Sequence, residues 1–359
     1  MTTLPVPEVA GLLTADEARA TAAAIADWQL PSGMIPWFPG GHADAWNHVE
    51  AAMALDVGGF RAEAERAYEW LAGLQRPDGA WHQYYVPIDD GGVAIEQDKL
   101  DANVCAYVAA GVWHHFLRHK DNGFLEGLWP TVERAIDFVL DLQTPRGEIL
   151  WARHADGSPW TFALLTGSSS ICHSLRSAIA IARELGHDRP MWETSAAALA
   201  HVVGHVPEAF APKHRWAMDW YYPVLAGVVT GDRGRAHLAE RYETFAKEGK
   251  GIRCVSDRPW ITTAETCECA LAHLAVGERE RALELFTQAQ GQRLDDGRYW
   301  TGIVYPQEVH FPAEETSTYS AAAVLLAAEA LHGATRGASL FTAHDDVLPV
   351  LPEHVPDDT

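Results

Sequence analysis

No run of apolar residues in the sequence approaches 18 in succession, so no segment has the length that a membrane-spanning helix needs. Positive charge is scarce as well: 27 Lys and Arg against 49 Asp and Glu leave a formal net charge of -22. Phosphate backbones and anionic lipid surfaces are held through Lys/Arg density, which sets aside nucleic acid and membranes as partners. The opening "MTTLPVPEVAGLLTADEARA" shows neither a basic leader nor a hydrophobic signal core. Cysteines are few, odd in number and unevenly spaced (Cys105, Cys172, Cys254, Cys267, Cys269), which reads as reduced thiols rather than a disulfide framework. The expectation is a soluble cytoplasmic protein. Two-residue alternation long enough to demand a sheet is also missing.

What is present is helical periodicity interrupted by loops rich in Gly, Pro and Trp. Helices are expected at about 14–28 and 44–57, 60–75 and 101–120, 124–143 and 170–186, 190–204 and 219–230, 232–248 and 265–276, and 278–290 and 318–332. The first member of each pair is amphipathic, as in "FRAEAERAYEWLAGLQ", whereas the second is apolar nearly all round, as in "TYSAAAVLLAAEAL". A helix with one apolar stripe faces water on its other side, and one without a polar face is buried throughout. Six amphipathic helices outside six buried ones predict an all-α fold, an (α/α)6 toroid over residues 1–336, with an acidic, Pro-containing tail at 337–359 packed outside or disordered.

A degenerate motif marks the ends of four first helices: Gln29 to Gly33 with Trp37, Gln75 to Gly79 with Trp81, Gln143 to Gly147 with Trp151, and Gln292 to Gly297 with Trp300. Its Gly suits a turn of positive φ and its Trp is expected over or beside a central pit. The openings of the second helices should converge on that pit. They carry Asp44, Asp101, Ser170, Asp219, Glu265 and Glu315. Asp and Ser are ordinary N-caps, so capping alone accounts for several of them. Glu is a poorer cap, and Thr262 or Thr263 stands ready for that role in "ITTAETCECA", which leaves Glu265 as the leading catalytic candidate.

Carboxylates interleaved with Trp, Tyr and His suit glycoside chemistry, in which one protonated carboxyl serves the leaving oxygen and an ionised one acts on the opposite face of the sugar. Apolar sugar faces stack on Trp, and acidic or amide groups bind hydroxyls. Asp98, Asn47, Asn103, His42, His82 and His310 fall where they would bind hydroxyls, and Trp37, Trp46, Trp81, Trp220, Tyr221, Trp260 and Trp300 are the candidate aromatic contacts. Asp219, Glu268 and Glu315 complete the candidate substrate-binding set. The expected partner is an oligo- or polysaccharide, with no cofactor and no metal.

The segments "PWFPGGHADAWNHVEAAMAL", "KLDANVCAYVAAGVW" and "DRPWITTAETCECALA" resemble the actinobacterial hydrolases of methylmannose polysaccharides, toroid glycosidases often labelled prenyltransferase-like. The resemblance covers nearly the whole chain to about 335. It implies endo-hydrolysis of α-1,4-linked 3-O-methylmannose chains and places the family's carboxylate pair on Asp44 and Glu265. We assign Glu265 as general acid, because its helix is the more apolar, and Asp44 as general base, with exchange of roles open, Asp101 in reserve, and inversion as the expected outcome. Other chemistries use the same toroid. A terpenoid cyclase or prenyltransferase needs an acidic cluster, and the Asp pairs ahead of the tail, Asp89-Asp90 and Asp295-Asp296, sit beside Gly as turns do. A lanthionine-cyclase-like zinc site would draw on Cys172 and His173 with Cys254 or Cys267. A sugar epimerase would use His310 with a second His, and a purely binding role would use the same acids and Trp.

Overall fold

The structure, a computed structural model, describes residues 4–89 and 91–343. Its helices form six hairpins in chain order. The outer members are α1 (Ala15–Trp28), α3 (Arg61–Leu74), α6 (Asn122–Leu140), α8 (Pro190–His205), α10 (Gly231–Phe245) and α12 (Arg279–Gln290). The inner members are α2 (Ala45–Val57), α4 (Ala102–Ala106) continued by α5 (Val108–His119), α7 (Leu165–Glu184), α9 (Met218–Leu225), α11 (Thr263–Ala275) and α13 (Thr318–His332). Each inner helix packs on the next, and α13 packs on α2, so the inner ring closes. The (α/α)6 toroid is therefore the fold.

Local chemistry explains the helix starts. Thr14 and Glu17 form a reciprocal capping box at α1, and Asp44, Asp101, Asp121 and Ser317 cap α2, α4, α6 and α13 with their side chains. The inner helices are rich in Ala and buried on all sides, which lets them approach closely around the axis.

The repeated Gln–Gly motif is the stitch of the outer ring. Gly33, Gly79, Gly147 and Gly297 all have positive φ, and a Cβ on them would meet the backbone of the next outer helix: Arg66 O at 2.4 Å, Arg134 O at 2.1 Å, Ala198 O at 3.0 Å and the Ala20 carbonyl carbon at 2.8 Å. The last of these joins the sixth hairpin to the first. Gln29, Gln75 and Gln143 each donate both to the carbonyl of their own Gly and to a carbonyl of the neighbouring outer helix. In the fourth copy the register differs by one: Arg293, four residues before Gly297, reaches Glu17 of α1 instead, while Gln292 donates to Ile261 O.

Three expectations are corrected. Short strands do exist in the loops: Tyr84–Pro87 with Val93–Gln97, Leu100–Asp101 with Ala152–Arg153, Ala246–Lys247 with Gly251–Ile252, and Trp260–Thr262 with Gly302–Val304 and Val309–His310. Most have two to four residues, too few to show a period in sequence. Helix α7 begins at Leu165, so Ser170 is not a cap but a buried residue of its second turn. The segment from 337 is not outside the ring as far as it is described. After a turn at Gly337–Ser339, Leu340 and Phe341 are buried, and Phe341 stacks on His173 of α7 at 5.0 Å. Residues 344–359, with the rest of the expected tail, lie outside the described residues, as does Asp90.

Candidate active site

Four inner-helix openings surround a cavity of about 410 Å³. α2 supplies Asp44, Trp46 and Asn47; α4 supplies Asp101, Asn103 and Val104; Thr166 and Gly167 come from α7, and Met218 and Asp219 from α9. The loops add Trp37, Tyr84, Lys99, Trp151, Lys213 and Trp216. Aromatic faces and carboxylates thus alternate around one concave wall.

Asp44 is 2% exposed and accepts three hydrogen bonds: Asn47 N to Oδ1 at 2.9 Å, and Asn47 Nδ2 and Trp37 Nε1 to Oδ2 at 2.7 Å each. Burial pushes its carboxyl above the ordinary range, against the downward pull of those donors. Asp101 caps α4 through Asn103 N and Val104 N; burial raises it too, while Lys99 at 3.6 Å works in the opposite direction. Asp219 is not the cap of its own helix. Its Oδ1 accepts from Thr166 Oγ1 at 2.6 Å and from Thr166 N, tying α9 to the opening of α7, and burial raises its carboxyl.

Glu265 lies in the first turn of α11, half-buried, and is not among the residues around this cavity. Neither Thr262 nor Thr263 caps α11 through its side chain; Thr263 Oγ1 donates to Trp300 O instead. The Glu265 carboxylate and burial together hold the Cys254 thiol above its ordinary range, burial being the larger effect, and the same carboxylate acts on Tyr319, whose ring meets Trp37 edge-on at 5.0 Å. Trp37 in turn holds Asp44, so a short chain of aromatic contacts joins the two candidates.

Beneath the pit is a second layer. Glu268 accepts from Tyr221 and, at 2.9 Å, from Tyr222, and Tyr107 donates to Glu50 at 3.0 Å. Trp46 separates the layers, with its ring edge-on to Tyr107 and Tyr222 at 5.5 and 6.1 Å. Tyr221 and Glu268, expected at the substrate, are therefore below the pit.

Several other candidates serve the scaffold. Trp81 is fully buried and donates to Leu71 O at 2.8 Å, because its copy of the motif points into the hairpin rather than over the pit. Trp220 is buried against the outer ring, stacked on Phe245 and bonded to His237 O. His82 Nδ1 donates to Asp98 O and its Nε2 accepts from Arg76, and the Asp98 side chain is exposed, so both belong to a loop anchor. His42 stacks between Trp37 and Tyr84 and pairs with Glu96 at 3.2 Å; it props Trp37. Trp300 stacks on His310 at 3.9 Å, Trp260 donates to Phe311 O, and Glu315 Oε1 accepts from Thr301, which places all four on the sheet-bearing side of the rim.

Sequence reading placed Trp151 at the pit through the motif but missed Lys99, Tyr84, Lys213 and Trp216 as cavity residues. For Trp151 the motif was a usable signal, and Lys99 sits over its ring at 4.0 Å; the others lie in loops without period. Glu50 was hidden inside an apolar helix. Of the rival chemistries, Asp296 accepts from Arg298 N and its side chain in a turn, as expected for Asp-Gly. Cys172, Cys254 and Cys267 are free and buried and take part in no group of potential metal ligands among the described residues.

No protein-family model matches the chain. It is 49% identical over 340 residues, 95% of its length and 93% of the relative's, to the MMP endo-(1,4)-3-O-methyl-alpha-D-mannosidase of Mycolicibacterium hassiacum. Among solved structures it is similar to a glycosidase variant in complex with glucose, with a TM-score of 0.69, 16% identity and coverage of 93% of this chain and 97% of that one. A D-mannose isomerase shares the fold at a TM-score of 0.64 and 10% identity, covering 87% and 96%. No helix among the described residues is long and apolar enough to cross a membrane.

Proposed function

The chain belongs to the glycoside hydrolase family of the methylmannose polysaccharide endo-mannosidase, and from that premise we propose that it cleaves internal α-1,4 bonds of 3-O-methylmannose chains bound in the Trp-walled pit. The observation that carries the site is Asp44, a buried carboxyl held by three donors at the opening of α2 between Trp37 and Trp46. Trp37, Trp46, Trp151 and Trp216 offer faces for sugar rings and their methyl groups, and Asn47, Asn103, Asp101 and Asp219 offer partners for hydroxyls.

The catalytic pair is Asp44 and Glu265. Helix composition favoured Glu265 as the acid, but burial favours the exchange of roles: Asp44 is the more enclosed carboxyl, and its burial raises it, the direction a proton donor needs. Asp44 then protonates the leaving oxygen, and Glu265 takes a proton from the attacking water. The two arise from α2 and α11, which are separated in the inner ring by α13. That spacing supports room for a water molecule and hence inversion. A cytoplasmic location fits the five free, buried thiols.

The test is to incubate the purified protein with 3-O-methylmannose oligosaccharides, unmethylated α-mannans and α-glucans and to follow product masses and anomeric configuration. Fragments of the methylated chains, each pair carrying one added water and released as the β-anomer, are expected. Products of unchanged mass would identify an epimerase, and cleavage confined to α-glucans would overturn the substrate.

A further inference from the structure

A second cluster of polar groups lies at the far end of the ring. α2 starts at the pit with Asp44 and, about 18 Å further on at 1.5 Å per residue, carries Asp56, 2% exposed. α5 presents His115 and His119 to it from one face, four residues apart. Asp56 Oδ2 is 3.1 Å from His115 Nδ1, and Oδ1 is 2.5 Å from His119 Nε2. Tetrahedral zinc with bonds of about 2.0–2.1 Å holds its ligand atoms roughly 3.3 Å apart. One ligand atom from each of the three residues lies within 4.8 Å of the others, and an ion would replace the proton that His119 and Asp56 now share.

His115 is fully buried, yet neither of its ring nitrogens has a hydrogen-bond partner, and Asp56 Oδ2 has none. Nδ1 and Oδ2 are close without being aimed at one another, as ligands directed at a common point are. The other nitrogen of His115 is 3.6 Å from Glu65 Oε1 of α3, which accepts from Arg61 Nε, so a carboxylate stands within a small shift of the place from which a metal-bound imidazole is commonly oriented. Charge points the same way. Among the described residues Asp56, Glu65, Asp121 and Glu329 meet two guanidiniums, Arg61 and Arg118, so with the imidazoles neutral, as ligands must be, two negative charges are left. His114 also faces Glu329, at 2.7 Å. A divalent cation would neutralise the cluster.

We propose that Asp56, His115 and His119 bind one zinc ion, with Glu65 orienting His115, and that this ion pins α2, α3 and α5 together at the end of the ring away from the pit. Its role is structural, since the helix length separates it from Asp44. His119 is the one partly exposed ligand and marks the route of entry.

The test uses the full chain, dialysed against EDTA and then titrated with zinc chloride by calorimetry and thermal unfolding, and with cobalt chloride by visible absorption. One equivalent of zinc, a rise in Tm and the intense visible bands of tetrahedral cobalt are expected, and all three should disappear in His119→Ala. His119→Gln, which keeps a polar group of similar reach, separates loss of the ion from loss of the fold by its circular dichroism. Absence of stoichiometric zinc binding in the wild type would overturn the proposal. So would binding that persists in His119→Ala but is lost in His201→Ala, because His201 and His205 form an exposed pair four residues apart on α8.

Discussion

Glu50 of α2 and Glu268 of α11 line the same small cavity beneath the pit, each served by tyrosine hydroxyls, and the charge of Glu50 adds to the rise of the Glu268 carboxyl. Burial is the main cause: it lifts Glu50 to about 7 and Glu268 well above the ordinary carboxylate range. Asp44 adds to the rise on Glu50, and Glu265 to that on Glu268. The two candidate catalytic carboxylates are thus coupled through a buried pair.

Glu50 holds its proton in the native protein but not in the unfolded chain between the ordinary Glu value of 4.5 and about 7, whereas His48, lowered to about 4 by burial, works with the opposite sign over much of that window. Stability conferred by a raised carboxyl is complete below that window and is lost as pH rises through it. Measured by urea unfolding, Glu50→Gln should therefore gain stability relative to the wild type between about pH 5 and about pH 7, by on the order of 3 kcal/mol, because the comparison cancels the histidines and leaves Glu50. A difference between the two proteins that stays constant across this window would contradict the burial of the pair. Glu329, lowered to about 2 by His114 and Arg118 against its burial, acts with the opposite sign and only at more acid pH.

Asp44→Asn should lower kcat roughly 100- to 10,000-fold, as should Glu265→Gln. Because Asn is as good a cap as Asp, α2 should remain intact and Tm nearly unchanged in the first variant. Steady-state rates on methylated oligosaccharides, with thermal unfolding alongside, would check both; near wild-type kcat in either variant would remove that residue from the pair.

The motif tryptophans should divide by role. Trp151→Ala removes a cavity wall and should raise KM about tenfold, a stacking loss of about 1.4 kcal/mol, with little effect on stability. Trp81→Phe loses a buried bond to Leu71 O and should cost about 2 kcal/mol of stability with KM unchanged. Kinetics and urea unfolding of the two variants side by side would show whether the division holds.

Gly297→Ala should destabilise the fold by roughly 2–4 kcal/mol, since the position has φ +88° and the new methyl would press on the backbone of α1 at Ala20 and Thr21. Gly291→Ala, with φ −62° and no comparably close neighbour, is the control. Equal midpoints for the two would refute the closing role of the motif.

Much of this architecture was legible in the residues. The alternation of amphipathic and wholly apolar helices gave the double ring, because burial on one face or on all faces leaves a mark in the order of side chains. The acidic openings of the inner helices marked Asp44, Asp101 and Asp219 as neighbours once the ring was assumed, and all three do line one cavity. The Gly of each motif copy carried its own evidence, since only a residue without Cβ fits that approach.

What only tertiary structure decided was direction and company. The same motif sends Trp151 to the cavity and Trp81 into the core, and nothing local distinguishes them. Glu50 sits in "NHVEAAMAL" like any helix residue, and its proton affinity comes first from the burial that the closed ring imposes, with the charge of Asp44 adding to it against the pull of the Tyr107 hydroxyl. Asp56, His115 and His119 lie on two inner helices, and no spacing in the chain brings them together. Sequence by itself determined which surfaces must be buried, because hydrophobic burial is read residue by residue. The pairing of charges was left to the closed ring, because electrostatic partners are set by distance in space and by the solvent that packing excludes.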